Sequence, residues 1–328
     1  MRRLPDPIVP LNQQSAYEAF SAMLDGVFDD AEIERFLTAL AERDETSSEI
    51  AGAALAMRER MIRISAPDGA IDVCGTGGDG AHSLNVSTAV SLVVAATGVA
   101  VAKHGNRAAS SRAGAADTLE ALGLDLGRAS DQAEATLNEL GICFLFAQKH
   151  HPALARLGPI RKRIGRRTIF NLLGPIANPA GVTRQLIGVA RPDYLPVYAG
   201  ALDRIGATSA MLVSGDEPLD ELSIGGPSSI FRLGECGFGP ERFAPADAGL
   251  PPHPLEALRG GDAEFNAAAL RRLLEGEAGA YRDAVLLNAA AALIVAGKVR
   301  AWDAGVARAA EAIDSGAAEL LLARWVEF

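Results

Sequence analysis

The sequence predicts an α/β protein: a small N-terminal helical domain, then a larger domain with a mainly parallel central sheet flanked by helices. Three observations carry this. Up to about residue 66 only helical periodicity is present, with no strand-like alternation. From residue 71 short apolar runs alternate with helical patterns, the order that builds a parallel sheet covered on both faces. Between them Pro67-Asp68-Gly69 reads as a turn and a boundary, giving domains 1–66 and 67–328. With 328 residues, 49% hydrophobic and 22% charged, the chain has room for a sizeable core.

The first ten residues, with Pro5, Pro7 and Pro10, read as an irregular arm. A first helix carries Phe20, Met23, Leu24 and Val27 at helical spacing, with Ser15 as its N-cap. A second carries Ile33, Phe36, Leu37 and Leu40 behind Asp30 as cap. The third opens on the capping-box pattern Thr46-x-x-Glu49 and carries Ile50, Ala53, Ala54, Met57 and Met61. Strand 71–73, helix 86–97 and strand 99–103 then form a βαβ unit, whose crossover is right-handed. Helices over 113–122 and 130–140 stop at Gly123 and Gly141, before a strand over 142–146. A basic helix over 154–164 leads through 168–173 to Gly174-Pro175. A strand over 185–190, a helix over 194–205 and a strand over 209–213 follow. Shorter strands are expected around 221–224 and 229–232, a loop over 234–254, and helices over 264–275, 281–296, 301–313 and 317–326.

Composition excludes several functions. A net charge of -10 argues against a nucleic-acid or anionic-membrane binder, whose affinity needs a basic face. The longest apolar run, 90–102, is broken by Gly98 and too short to cross a bilayer. Cys74, Cys143 and Cys236 make neither a metal pair nor a disulfide framework, and no apolar signal core is present near the start. A cytoplasmic protein is the expectation.

Ligands of open α/β sheets sit beyond the carboxyl ends of strands, and three loops of unusual composition fall there. The first, Gly75-Thr76-Gly77-Gly78-Asp79-Gly80, puts four glycines in six residues and is followed by Asn85-Val86-Ser87-Thr88 at a helix start. Glycines let backbone approach a ligand, and a helix N-terminus offers unpaired N–H donors, so an anion is the expected guest. No Gly-Lys-Ser/Thr ending is present, which excludes a P-loop. The second loop, Lys103-His104-Gly105-Asn106-Arg107-Ala108-Ala109-Ser110-Ser111, gathers cations, an amide and hydroxyls suited to a ligand with several oxygens. Taken singly, Lys103 and Arg107 read equally well as surface charges, and His104 better as a packed histidine than a catalyst. The third loop holds Asp216, Glu217, Asp220 and Glu221, carboxylates that beside a phosphate site point to Mg²⁺. Together the loops predict a polyphosphorylated small molecule held with Mg²⁺.

These motifs, in order, with Phe170-Asn171-Leu172-Leu173-Gly174-Pro175-Ile176-Ala177-Asn178-Pro179, resemble those of the anthranilate phosphoribosyltransferases. The resemblance covers nearly the whole chain, from Asp25-Gly26 and 49–53 to the C-terminal helices. It implies transfer of a phosphoribosyl group from 5-phosphoribosyl 1-diphosphate to the amine of anthranilate, with pyrophosphate leaving, in tryptophan biosynthesis. By position it implies a donor site of Gly75, Gly78, Asp79, Ser83, Asn85, Val86, Ser87 and Thr88. That site continues through Lys103, His104, Gly105, Asn106, Arg107, Ala108, Ala109, Ser110, Ser111 and Ala115. It implies Mg²⁺, two ions per subunit, on Ser87, Asp220 and Glu221, and anthranilate on Gly75, Asn106 and Arg161. Without it, Arg161 is one of five cations with Lys162, Arg163, Arg166 and Arg167. No proton-transfer residue is assigned. A homodimer, and a segment near 155–180 joining the helical domain, are also implied. Ala115, Ser214 and Pro218 depart from the family pattern, where serine, histidine and glycine are common; Ser83 for threonine keeps a hydroxyl. The rival readings are a pyrimidine nucleoside phosphorylase and a non-catalytic nucleic-acid-binding relative of the same fold.

Overall fold

The computed structural model describes residues 3–108, 112–217 and 219–328. Three N-terminal helices come first: α1 (Gln13–Leu24), α2 (Asp30–Glu42) and α3 (Ser47–Glu59). Two caps differ from expectation. Asn12, in extended backbone, accepts the Ser15 N–H (2.9 Å), so Ser15 is the residue capped and not the cap. Asp29 does the same for Glu32 (2.8 Å), which leaves Asp30 as the first helical residue. Val27 lies beyond α1 and is 50% exposed. At α3 the Thr46–Glu49 box forms as read, and the buried Glu49 carboxylate also accepts the Leu11 N–H (2.8 Å), fastening the proline-rich arm to the helices.

The βαβ unit consists of β1 (Ile71–Gly75), α4 (Val86–Ala96) and β2 (Val101–Gly105), with β1 and β2 parallel neighbours. Next come α5 (Ala115–Ala121), α6 (Leu126–Asp131), α7 (Ala133–Leu140) and β3 (Ile142–Phe146). The single helix expected over 130–140 is therefore two, broken at Gln132. A short α8 (Ala147–His150) precedes a 3₁₀ turn, Pro152–Leu157, and α9 (Gly158–Ile164). Pro159 has no N–H for an α-type bond, so the basic helix restarts there instead of running unbroken from 154. A 3₁₀ turn at Ile169–Asn171 and α10 (Leu173–Ile176) lead to β4 (Arg184–Gly188), α11 (Leu195–Arg204) and β5 (Ser209–Gly215). After β6 (Ser228–Gly234) comes β7 (Gly239–Phe243), inside the stretch expected to be loop. Four helices finish the chain: α12 (Ala263–Leu274), α13 (Ala280–Val295), α14 (Trp302–Asp314) and α15 (Ala317–Glu327).

The sheet runs β3-β2-β1-β4-β5-β6-β7, parallel through β5 and antiparallel beyond. The edge strand β7 carries Pro240, Glu241 and Arg242, residue types that discourage further pairing. Strand alternation sorts the two faces. Leu186, Met211 and Val213 enter a core with α4 and the C-terminal helices, whereas Ile187, Ala210 and Leu212 face the N-terminal helices and α11. Leu157, Ile160, Ile169, Phe170, Leu173 and Ile176 belong to that second core. The segment from 169 to 176 is pinned by side chains reaching its carbonyls: Tyr198 to Leu172 (2.5 Å), Gln185 to Pro175 (2.6 Å) and Arg58 to Ile176 (2.7 Å). It thereby becomes a fixed wall over the ends of β1 and β2.

Candidate active site

Strands β1, β2, β4 and β5 all end in glycine: Gly75, Gly105, Gly188 and Gly215. A Cβ on Gly188 would fall on the Asp220 carbonyl, and one on Gly75 on the Asp220 carboxylate. Only glycine at these ends lets the chain after β5 cross the sheet so closely. The crossing lays Asp220 over the glycine loop. Its Oδ2 accepts the Gly77 N–H (2.6 Å), and its own N–H donates to Asp79 Oδ2 (3.3 Å). Glu221 Oε1 accepts the Ser87 N–H in the first turn of α4 (3.2 Å), a carboxylate against the positive end of a helix.

No strand forms at 221–224. Leu222 instead exchanges two hydrogen bonds with the amide of Asn288 on α13 (3.0 and 3.1 Å), a side chain in the place of a strand partner. Of the four carboxylates expected here, Asp220 and Glu221 reach the cleft. Asp216 is exposed and pairs with Arg242 (2.5 Å), and Glu217 lies against Gly225. Asp79 joins the cleft pair instead.

Crowded carboxylates hold protons tightly. Burial, then the charge and hydrogen bond of Asp79, push Asp220 up to about 7. Burial, then Asp220 and Asp79, push Glu221 well above the usual carboxylate range. Lys103 answers from β2, with 2% exposure. Its Nζ donates to the Val73 carbonyl (2.9 Å) and Ser87 Oγ (3.3 Å). Burial pulls its pKa down, while Asp72, Cys74 and Glu221 act to hold its proton. Oxygens of Asp220, Glu221 and Ser87 are hard donors, and a divalent cation would relieve the repulsion between the two carboxylates. Among the described residues no three His, Cys, Asp or Glu converge on one metal position, so such an ion needs oxygens from its ligand and water.

The expectation of open N–H donors at the start of α4 is not met. The Val86 N–H goes to the Leu84 carbonyl (2.7 Å), that of Ser87 to Glu221, and that of Thr88 to the Asn85 carbonyl (3.2 Å). The Val86 side chain is in the core, and Thr88 is 1% exposed with its hydroxyl unpartnered among the described residues. Ser83, Asn85 and Ser87 line the cleft with Gly75, Gly78 and Asp79. His82, at φ 50°, holds a backbone conformation uncommon outside glycine at the same rim.

In the basic loop Lys103, His104, Gly105, Asn106, Arg107 and Ala108 line the cleft, as does Ala115. Arg107, however, pairs with Asp117 (2.9 Å) and Glu120 and lies over the Phe146 ring, so its charge is already matched. His104 is a packed histidine. Its Nδ1–H donates to the Gly174 carbonyl (2.8 Å), which leaves Nε2 to accept from His151 (3.2 Å). Burial, then the neighbouring His151, lower His104 to about 3. Ala109, Ser110, Ser111 and Pro218 lie outside the described residues. Ser214 is buried in β5 with its hydroxyl unpartnered among the described residues.

The cleft encloses about 390 Å³, and part of its lining differs in character. Met57, Leu154, His151, Phe170 and Pro175 line it with Arg161. Arg163 pairs with Asp30 (2.9 Å) and Arg166 with Glu42 (3.2 Å) on the outside of the helical region. Arg161 instead stands 5.7 Å over the Phe170 ring, and among the described residues no carboxylate lies within ion-pairing distance of it. Burial lowers its pKa without removing its charge. One unmatched guanidinium beside aromatic and apolar side chains suits a planar carboxylate. Met57, His151 and Leu154 escaped the sequence reading, because each reads locally as an ordinary helix or turn residue.

Fold and cleft define a two-part glycosyl transferase. The model of the glycosyl transferase family, a/b domain, matches residues 68–319, and that of the glycosyl transferase family, helical bundle domain, matches residues 7–61. Within that class, the anthranilate phosphoribosyltransferase of Novosphingobium aromaticivorans is 62% identical over 99% of both chains. That of Sphingopyxis alaskensis is 63% identical, over 99% of this chain and 98% of its own. The crystal structure of the Thermus thermophilus enzyme superposes with a TM-score of 0.93 at 45% identity, covering 98% of this chain and 96% of its own. The Saccharomyces cerevisiae enzyme in complex with PRPP and Mg gives 0.87 at 27% identity, covering 97% and 93%. The chain belongs to the anthranilate phosphoribosyltransferase family.

Proposed function

We propose that the chain transfers the phosphoribosyl group of 5-phosphoribosyl 1-diphosphate to the amine of anthranilate, in the pathway to tryptophan. The observation that carries this is the mixed lining of one cleft: carboxylates, Lys103 and a glycine loop, together with Arg161, which stands over Phe170 with no carboxylate partner among the described residues. The glycine loop, Ser83, Asn85, Ser87 and the basic loop hold the donor; Gly75, Asn106 and Arg161 hold anthranilate. Asp220, Glu221 and Ser87 hold Mg²⁺, two ions per subunit, which supplies positive charge to the departing pyrophosphate. Lys103 adds to that charge. The new N–C1 bond forms as the C1–O bond to pyrophosphate breaks, and the amine proton passes to solvent. An aromatic amine is a free nucleophile at neutral pH, so the chain's task is placement and charge stabilisation.

The division at residues 66 and 67, with about 155–180 attached to the helical part, is supported by the shared core of those segments. A homodimer through the helical part is supported by its exposed Ile8 (74%), Val9 (60%) and Val27 (50%). Among the described residues no helix is long and apolar enough to cross a membrane, which accords with a cytoplasmic enzyme.

Incubation with the donor, anthranilate and Mg²⁺, followed by mass spectrometry, tests the assignment. The expected product is N-(5-phosphoribosyl)anthranilate with pyrophosphate. Release of free base from uridine and phosphate, with no such product, would instead support the nucleoside phosphorylase reading.

A further inference from the structure

Asn85 stands where the donor loop meets α4, and its amide is oriented from both sides by partners that cannot reverse their roles. The Ala113 carbonyl can only accept, so it takes the Asn85 Nδ2 end (3.3 Å). On the other side the Gly261 N–H can only donate, so it fixes Oδ1 of Asn266 (2.8 Å). Nδ2 of Asn266 must then face Asn85, and it donates to Asn85 Oδ1 (2.8 Å). The Thr118 hydroxyl donates to the same oxygen (2.6 Å). Two donors thus saturate Oδ1, while one of the two Nδ2 hydrogens of Asn85 has no partner among the described residues. Asn85 lines the cleft; Asn266, on α12 and 2% exposed, does not.

The backbone repeats this arrangement. Leu84 N–H donates to the Leu258 carbonyl (2.8 Å) and Gly260 N–H to that of His82 (2.8 Å), so the stretch before α12 is paired along the back of the donor loop. A Cβ on Gly260 would press on the Ser83 carbonyl. We infer that Asn266 is a positioning residue for donor binding: through Asn85 it turns an amide N–H toward the oxygens of the phosphoribosyl donor. This rests on the reading of the cleft as a donor site.

Asn266→Asp tests it, because the carboxylate keeps the volume and still accepts the Gly261 N–H. It loses only the donation to Asn85, against which it sets a second acceptor. Calorimetry with 5-phosphoribosyl 1-diphosphate and Mg²⁺ should show donor Kd raised roughly tenfold, and donor KM likewise. KM for anthranilate should stay at the wild-type value, while Tm falls because a buried carboxylate now faces an acceptor. Wild-type donor affinity in a folded Asn266→Asp protein would overturn the inference. Should that variant not fold, Thr118→Val removes the other donor to Oδ1 and should weaken donor binding several-fold; unchanged binding would again overturn it. Wild-type protein that binds the donor but turns over no anthranilate contradicts the proposed reaction and leaves the Asn266 comparison readable. Wild-type protein that binds no donor contradicts both.

Discussion

On the proposed assignment Arg161 is the cationic contact of anthranilate. Its neighbours Arg163 and Arg166 are matched by carboxylates on α2, whereas Arg161, over the Phe170 ring, has no carboxylate partner among the described residues. Replacing it with Ala should raise KM for anthranilate by roughly ten- to a hundredfold and leave donor KM within about twofold, because charge-assisted pairs contribute about 1.5–3 kcal/mol. Steady-state kinetics with each substrate varied in turn checks this; a rise in donor KM alone would assign Arg161 to the donor instead. The two histidines of the wall give a second residue-scale expectation. Burial lowers His104 to about 3 and His151 to about 4, below the ordinary value near 6.5. Between those values the unfolded chain binds protons that the folded chain does not. The contribution of these two histidines to stability is therefore full above about pH 6.5 and declines as pH falls toward 4. Asp220 and Glu221, whose pKa values are raised, act in the opposite sense. The readout is therefore the difference between two proteins in thermal melts: from pH 5 to pH 7 the change in Tm should be more positive in the wild type than in His151→Gln. An equal change in both proteins would remove His151 from the account.

Elements meet at the strand ends, and there the close approach of Asp220 depends on Gly75 and Gly188. Gly188→Ala puts a methyl group on the Asp220 carbonyl, so the crossing segment must move. A displacement near 1 Å at reacting groups costs on the order of a hundredfold in rate. The variant should stay folded by circular dichroism and lose about that factor in turnover; near-wild-type turnover would mean that the crossing tolerates displacement. Much of this level was legible in the sequence. The Thr46–Glu49 box, the βαβ unit and the glycine loop read correctly because each is a local pattern of residue type and spacing. The misreadings have local causes too. Asn12 and Asp29 lie one to three residues before equally good caps, and Pro159 cuts a helix whose apolar spacing continues through it. Residues 221–224 have strand-like composition, but Asn288 supplies their hydrogen bonds from a helix distant in sequence.

At the scale of the molecule, two cores on opposite faces of one sheet bring the N-terminal helices and the 169–176 wall over the strand ends. That juxtaposition made Arg161, Met57 and His151 neighbours of the glycine loop, and no local pattern encodes it. The resemblance selected Arg161 among five cations; in the fold Arg163 and Arg166 are paired with α2 carboxylates, while Arg161 lines the cleft over Phe170. Carboxylates reveal the same limit. The sequence run Asp216, Glu217, Asp220 and Glu221 looks uniform, yet the chain divides it between the surface and the cleft and adds Asp79 from another loop. The central claim is that this one cleft joins a metal-assisted donor site to an anthranilate site. Anthranilate fluorescence followed over time with 5-phosphoribosyl 1-diphosphate and Mg²⁺ tests it most directly. The account predicts a decay in the wild type, abolished by EDTA and slowed at least roughly a hundredfold in Asp220→Asn with Glu221→Gln. A decay that persists undiminished in EDTA and in that double variant would contradict it.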